Sequence, residues 1–185
     1  GSVYALALDN SGNLYAGGTF PLAGGVTVGS IARWDGTNWH PVGSGLCYIN
    51  PNMGGGCYGG VLALEFDNKG NLYAGGSFNR AGALSVNYIA MWNGNYWSTL
   101  GSGMNGSVYA LALDNSGNLY AGGFFNRAGD VTASYIAQWD GAGWSSLGAG
   151  VDGSVSALTF DGKGNLYAGG HFTSAGGIFA NRIAR

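Results

Sequence analysis

Charge is scarce in this chain of 185 residues: seven Lys and Arg and nine Asp and Glu make up 9% of it and leave a net charge of -2. So few cations build no basic stripe to neutralise phosphates, which argues against nucleic acid as a partner. No apolar run approaches the roughly 18 residues needed to cross a bilayer, so no membrane insertion is expected. The N-terminus also lacks a charged segment followed by an apolar one, and Gly1-Ser2 already matches Gly106-Ser107 and Gly153-Ser154 before later copies of a repeat. The expectation is a mature fragment or an excerpt of something longer. Apolar residues nowhere recur at three and four positions over a sustained stretch, so essentially no helix is predicted. Histidine and cysteine number two each, too few for a metal centre of the usual ligand spacings, and no cofactor is expected.

What the chain has is repetition, with 38 glycines and 14% aromatic residues. Copies of one segment begin at Val3, Val61, Val108 and Val155, and the last stops at Arg185. A period of about 44 residues marks an array of supersecondary units that bury their faces against each other. Each copy holds four extended stretches. The first, VYALAL in copy one, alternates small and large residues and is apolar on both faces, so burial on both sides is predicted. Asp9-Asn10-Ser11-Gly12-Asn13 closes a hairpin, with Gly12 suited to positive φ and Asp9 able to hold backbone N–H groups. The second stretch ends in Gly17-Gly18, repeated at Gly75-Gly76, Gly122-Gly123 and Gly169-Gly170, where a close approach of backbone or of a large ring is expected. The third carries Ile31, Ala32 and Trp34, and Asp35-Gly36 turns into a fourth that starts at Trp39.

Four antiparallel strands per unit at this period predict an all-β fold, a β-propeller of four-stranded blades with the last lacking its outer strand. The blades are expected at about 3–46, 61–104, 108–151 and 155–185 of a single domain over 1–185, with inner strands near 3–8, 61–66, 108–113 and 155–160. The pattern LYAGGxF…AGG…IAxWDGxxWxxLGxG resembles secreted bacterial propeller repeats and is similar to repeats of the fungal cortical-marker proteins of the Rax2 type. A looser likeness joins the Tyr-x-Gly-Gly and Trp positions to kelch blades. The resemblance covers the whole chain. It implies that the VYALAL strand is innermost and the Trp39 strand outermost, and it implies no particular activity, because propellers host enzymes, lectins and scaffolds alike.

Cys47 and Cys57 lie in an insertion over 47–60 that breaks the period. Two thiols closing a short Gly-rich excursion most simply form a disulfide, as in a secreted protein. Free thiols in a cytosolic one are the alternative, and a metal site would be short of ligands.

Residues present in every copy are explained by the blade, so functional residues should be exceptions to the repeat. Among the acids this leaves Glu65 and Asp130, in different parts of different copies, and no carboxylate pair for acid-base work can be proposed. The Asp turns carry one carboxylate each, too few for a calcium site. His40 reads as a solvated outer-strand residue, and His171, in the column Thr19, Ser77, Phe124, His171, as either a loop edge or a ligand contact. The six Trp occupy two recurring columns, which favours packing between blades over stacking on sugars. Asn105-Gly106-Ser107 is a glycosylation sequon, meaningful only in a eukaryotic secretory context.

Connections from strand two to three, and from strand four to the next blade, share one face and hold the variable loops. Tyr48, Arg80, Phe124, Arg127, Asp130 and His171 are the predicted ligand-binding residues there, with Asn50, Tyr88, Tyr135 and Arg182 beside them. The reading is a non-catalytic extracellular module that binds a glycan or a protein. A structural tile of a surface layer, fibre or sheath is the alternative, and a propeller enzyme comes third. Self-association, or continuation into further blades, is expected from the exposed edges.

Overall fold

The structure is a computed structural model that describes residues 1–50, 52 and 57–185. The rest of the expected insertion over 47–60 lies outside the described residues.

Among the described residues there is no α-helix. The chain is all-β, an array of β-propeller blades. Blade one orders Val3–Leu8, Leu14–Gly18, Ile31–Trp34 and Trp39–Pro41. Blades two and three repeat that order from Val61–Phe66 to Trp97–Ser98 and from Val108–Leu113 to Trp144–Ser146. Blade four has three strands, Ser154–Phe160, Leu166–His171 and Ile183–Ala184. The inner strands fall where the alternation predicts them.

The turn chemistry is the one the composition implies. Asp9 Oδ1 accepts the N–H groups of Ser11 and Asn13, each at 2.9 Å, and Oδ2 accepts the Asn13 amide at 2.7 Å, while Gly12 takes φ 82°. Asp67, Asp114 and Asp161 do the same in their own copies. The Asn165 side chain and N–H hold Asp161 below the usual carboxylate range. Four of the nine acids are therefore committed to hairpin closure.

Consecutive blades pack through the glycine pair. The first glycine of each pair lies under a valine of the next blade: a Cβ on Gly17, Gly75 or Gly122 would stand 2.5 Å from a methyl of Val61, Val108 or Val155. The second glycine faces its own inner strand, where Gly18 meets the carbonyl of Ser2 and Gly123 that of Ser107. The close approach is thus to an aliphatic side chain for the first glycine, and for the second to a carbonyl and, at Gly18 and Gly76, to the rings of Phe20 and Phe78, at 2.9 and 3.1 Å from where a Cβ would stand. A register shift in each inner strand, between Val3 and Ala5 in blade one, places the valine for this contact.

The core is a row of such junctions, and it stops at the two ends. Val61, Val108 and Val155 are fully buried, whereas Val3 is 54% exposed, and Leu6 and Leu8 are exposed with it. Burial of the inner strand on both sides therefore holds for the middle blades and fails in blade one and in blade four, where only Val155 of Ser154–Phe160 is buried. At the other end Ile183 is 66% exposed where its counterpart Ile31 is fully buried.

The pattern of four stretches missed a further element. In every copy the connection from strand two to three folds into a small hairpin: Leu22–Ala23 with Val26–Thr27, Arg80–Ala81 with Leu84–Ser85, Arg127–Ala128 with Val131–Thr132, and Ser174–Ala175 with Ile178–Phe179. The insertion extends the second of these. Leu46–Ile49 pairs with Arg80–Ala81 on one side and with Cys57–Tyr58 on the other, giving a four-stranded sheet.

Candidate functional site

The residue before the third strand sits in left-handed conformation in all four copies: Ser30 at φ 68°, Tyr88 at 63°, Tyr135 at 64° and Arg182 at 67°. None is glycine, so each costs about 1–3 kcal/mol that the surroundings must outweigh. Two backbone bonds do so. The Tyr135 N–H donates to the Phe125 carbonyl at 3.0 Å, and the Tyr135 carbonyl accepts from Gly123 N–H at 3.1 Å. Tyr88 makes the same bonds to Phe78 and Gly76. Phe78 and Phe125 are buried, so the anchors are fixed by the core.

This pinned backbone aims Tyr88 and Tyr135 at the junction of blades two and three. There they line a cleft of about 340 Å³ with Asn105, Ser107, Phe124 and Asn126. The Phe124 and Tyr135 rings lie 5.9 Å apart at 44°, and Phe124 is 61% exposed. Below the rings, Asn105 Oδ1 accepts the N–H groups of Asn126 and Arg127 at 3.0 Å each, and its amide nitrogen donates to Asn126 Oδ1 at 2.6 Å. Asn105 thereby clamps the small hairpin of blade three from the preceding junction. Its counterpart Asp152 clamps blade four, accepting from Thr173 N–H at 2.7 Å, Thr173 Oγ1 at 2.7 Å and Ser174 N–H at 2.9 Å. The Thr173 hydroxyl, then the Ser174 and Thr173 N–H groups, lower the Asp152 pKa. Ser77 Oγ and Ser107 Oγ, 2.9 Å apart, tie the two blades across the floor.

The structure does not bring the six predicted residues into one cavity. Phe124 lines the cleft. Arg127 and Asp130 are exposed on the small hairpin beside it, one on its first strand and the other at its tip. Tyr48 and Arg80 belong to the sheet of the insertion, where Arg80 Nη1 donates to Ser85 Oγ at 2.5 Å. His171 is exposed at the end of the second strand of blade four. Asn50 is half-buried in the insertion, and Arg182 is exposed ahead of the last strand. Sequence reasoning passed over Asn126 because Asn79 precedes it in the same column, and a filter for exceptions discards what repeats. The two do different work: Asn79 exchanges bonds with the Ile49 backbone, at 2.8 and 3.0 Å, within the insertion.

The remaining titratable groups are dispersed. His40 Nε2 lies 2.6 Å from Asp35 Oδ2, so it closes its own hairpin rather than standing free in solvent. The N–H groups of Asn38 and Thr37, then His40, draw the Asp35 carboxyl down to about 2. Glu65 is half-buried on the inner strand of blade two, and desolvation raises its pKa. Cys47 and Cys57 are free thiols in this structure, so the expected disulfide is not closed in it. They sit in neighbouring strands, and desolvation, followed by the hydrogen bond and charge of Cys47, pushes the Cys57 thiol up to about 12. Both line a second cleft, of about 610 Å³, at the junction of blades one and two. Among the described residues no three His, Cys, Asp or Glu side chains converge as metal ligands would.

No protein-family model matches the sequence, and no curated protein matches it. Among solved structures, two of the extracellular domain of BT4673 from B. thetaiotaomicron are similar to this chain, at 13% and 12% identity and a TM-score of 0.60 each. Both comparisons cover 92% of this chain and 20% of that one, so the chain spans about a fifth of their length. A protein of unknown function from Dyadobacter fermentans aligns over 90% of this chain and 56% of that one, with 14% identity and a TM-score of 0.49. At 12–13% identity the likeness to BT4673 shows a shared fold.

Proposed function

We propose that this chain is a non-catalytic binding module of an extracellular protein, and that it takes a glycan at the junction of blades two and three. The observation that carries the reading is the cleft itself: Tyr88, Phe124 and Tyr135 stand around the amides of Asn105 and Asn126. Aromatic faces beside fixed amide donors and acceptors suit a sugar ring, which has apolar C–H faces and a hydroxyl rim. The dispersal of the acids supports a non-catalytic role, since seven of the nine are occupied in turns, in the His40 pair or in the Asp152 clamp. An extracellular setting is supported by the fold shared with an extracellular domain, and by two cysteines placed side by side to close a cystine.

The test is a glycan array read with the parent and with Tyr135→Gly, Phe124→Ala and Asn126→Ala. Tyr135→Gly removes a ring and relieves a left-handed residue, so the fold should hold or gain while binding falls about tenfold or more. The intact mass of the same preparation, before reduction, should be two protons below the reduced form. Undiminished binding by all three folded variants would overturn the site, and retention of a protein in place of any glycan would overturn the ligand class. The structural tile is the second reading, favoured by the low charge and the abundance of glycine and tyrosine. Ordered polymer in solution would decide for it.

A further inference from the structure

The first and second blades treat one place in the repeat differently. In blade two Asn87, just ahead of the left-handed Tyr88, turns its side chain onto the loop after the fourth strand, where its amide nitrogen donates to the Ser102 carbonyl at 2.9 Å. The space left there, beside Ser85 and Gly101, is about 70 Å³. Blade one has Gly29 in the place of Asn87 and Ser44 in the place of Ser102. A Cβ on Gly29 would stand 3.6 Å from the Ser44 carbonyl oxygen, but no side chain is there to reach it. Among the described residues that oxygen accepts no hydrogen bond. The cleft at this place, the one that Cys47 and Cys57 also line, measures about 610 Å³.

A second polar group in the cleft is unclaimed. Ser30 is only 6% exposed, and among the described residues its hydroxyl has no hydrogen-bond partner. No buried side-chain oxygen is sealed off without a partner among those residues, so the Ser30 hydroxyl opens into the cleft it lines. Thr19 and Thr27 add hydroxyls beside it, and Thr19 Oγ1, which accepts from the Ser2 N–H at 3.2 Å, keeps its own proton to give. Phe20, Pro21 and Pro41 supply apolar wall, and among the described residues no Lys, Arg, His, Asp or Glu lines the cleft. Such a lining suits a neutral ligand with donors of its own, because a charged one would be desolvated with no counter-charge.

We propose that this cleft binds an acetamido sugar of the N-acetylhexosamine class, at a site separate from the cleft between blades two and three and independent of the reading given to that one. The acetamido N–H donates to the Ser44 carbonyl, as the Asn87 amide does to Ser102 in the next blade. The acetyl methyl and the C–H face of the ring take the apolar wall of Phe20, Pro21 and Pro41, and the ring hydroxyls exchange hydrogen bonds with Ser30, Thr19 and Thr27. A plain hexose has a hydroxyl in place of the acetamido group, so it lacks both the methyl contact and the amide donor.

The test is a titration of the full chain with N-acetylglucosamine, followed by backbone amide chemical shifts, with glucose as the comparison. Saturable shifts are expected at Thr27, Ser30 and Ser44, with glucose binding about tenfold or more weakly. Ser30→Ala should weaken binding about threefold to tenfold by removing one hydroxyl. Ser30→Tyr should abolish it: the left-handed backbone of this column already carries tyrosine in blades two and three, so the ring can enter the cleft without a change of main chain. Equal binding of the two sugars, full binding by either folded Ser30 variant, or no saturation in the millimolar range would overturn the proposal. So would shifts confined to Asn105, Phe124 and Asn126, which would put the sugar in the other cleft and leave the reading of that cleft standing.

Discussion

The junctions inside the array and the faces at its ends are built from the same residues, and they are not equally stable. Between blades, a valine drops onto a glycine, a tryptophan reaches a carbonyl one blade back, and the inner strand is covered on both sides. At the first blade the valine stands in water, and at the last the glycine has nothing above it. A residue in a repeat thus has no fixed worth of its own. Its contribution is set by whether the neighbouring unit is present, which is the nearest-neighbour behaviour of stacked repeats.

The largest expected effect comes from the tryptophans. Trp144→Ala should cost about 3–5 kcal/mol, because it empties a packed site and removes the indole hydrogen bond to the Leu100 carbonyl, which keeps only the Gly103 N–H. Trp39→Ala, in the half-buried outer strand of blade one, should cost less by about 0.5–1.5 kcal/mol, since among the described residues its indole makes no hydrogen bond to a carbonyl of another blade. Urea titrations of the two variants would settle it, and equal losses would break the contrast between middle and end. A smaller but cleaner contrast is offered by the glycines. Gly122→Ala forces a methyl against Val155 and should destabilise by about 1–3 kcal/mol. Gly169→Ala meets nothing nearer than 3.9 Å and should be neutral or stabilise by about 0.4–1 kcal/mol through the unfolded chain. Destabilisation by Gly169→Ala equal to that of Gly122→Ala would show that something already covers the last blade in solution.

The smallest effect concerns Glu65, which stands where the neighbouring copies have Ala7 and Ala112. Desolvation raises its folded pKa above the ordinary 4.5, so the folded chain holds this proton more tightly than the unfolded one. The contribution of the group is most favourable below 4.5 and is lost as the pH rises through the raised value. Glu65→Gln should therefore be more stable than the parent at neutral pH, and the two should converge in acid. Stability curves that stay parallel from pH 3 to 8, on the scale where carboxylates titrate, would remove the desolvation account.

Much of the fold is legible in the sequence because it is held by local, repeated chemistry. Asp9 and Gly12 define their turn within five residues, and the Ile-Ala-x-Trp run followed by Asp-Gly defines the next. The small hairpins escaped notice because strands of two residues have no periodicity to detect, and a pair such as Arg127–Ala128 is held by Asn105, 22 residues away. The left-handed residues also leave no local trace: Ser, Tyr and Arg do not announce positive φ, which is imposed by carbonyls and N–H groups of the buried Phe segment. The candidate site was half legible. Exceptions to the repeat pointed to Phe124, while Asn126 was hidden by repeating, and the separation of Tyr48 and His171 from the cleft depends on how blades stack rather than on which loops vary.

The left-handed column has a consequence for how such a chain can change. At Ser30, Tyr88, Tyr135 and Arg182 the main chain is locked by its own hydrogen bonds, so direction is fixed while chemical identity is left open. Blades two to four offer a side chain that reaches solvent at the same place in the repeat, as a type case offers a slot to any letter, while Ser30 in blade one is buried. A single substitution at such a slot can exchange a phenol for a guanidinium without disturbing a strand, and a row of blades can spell a different surface one residue at a time.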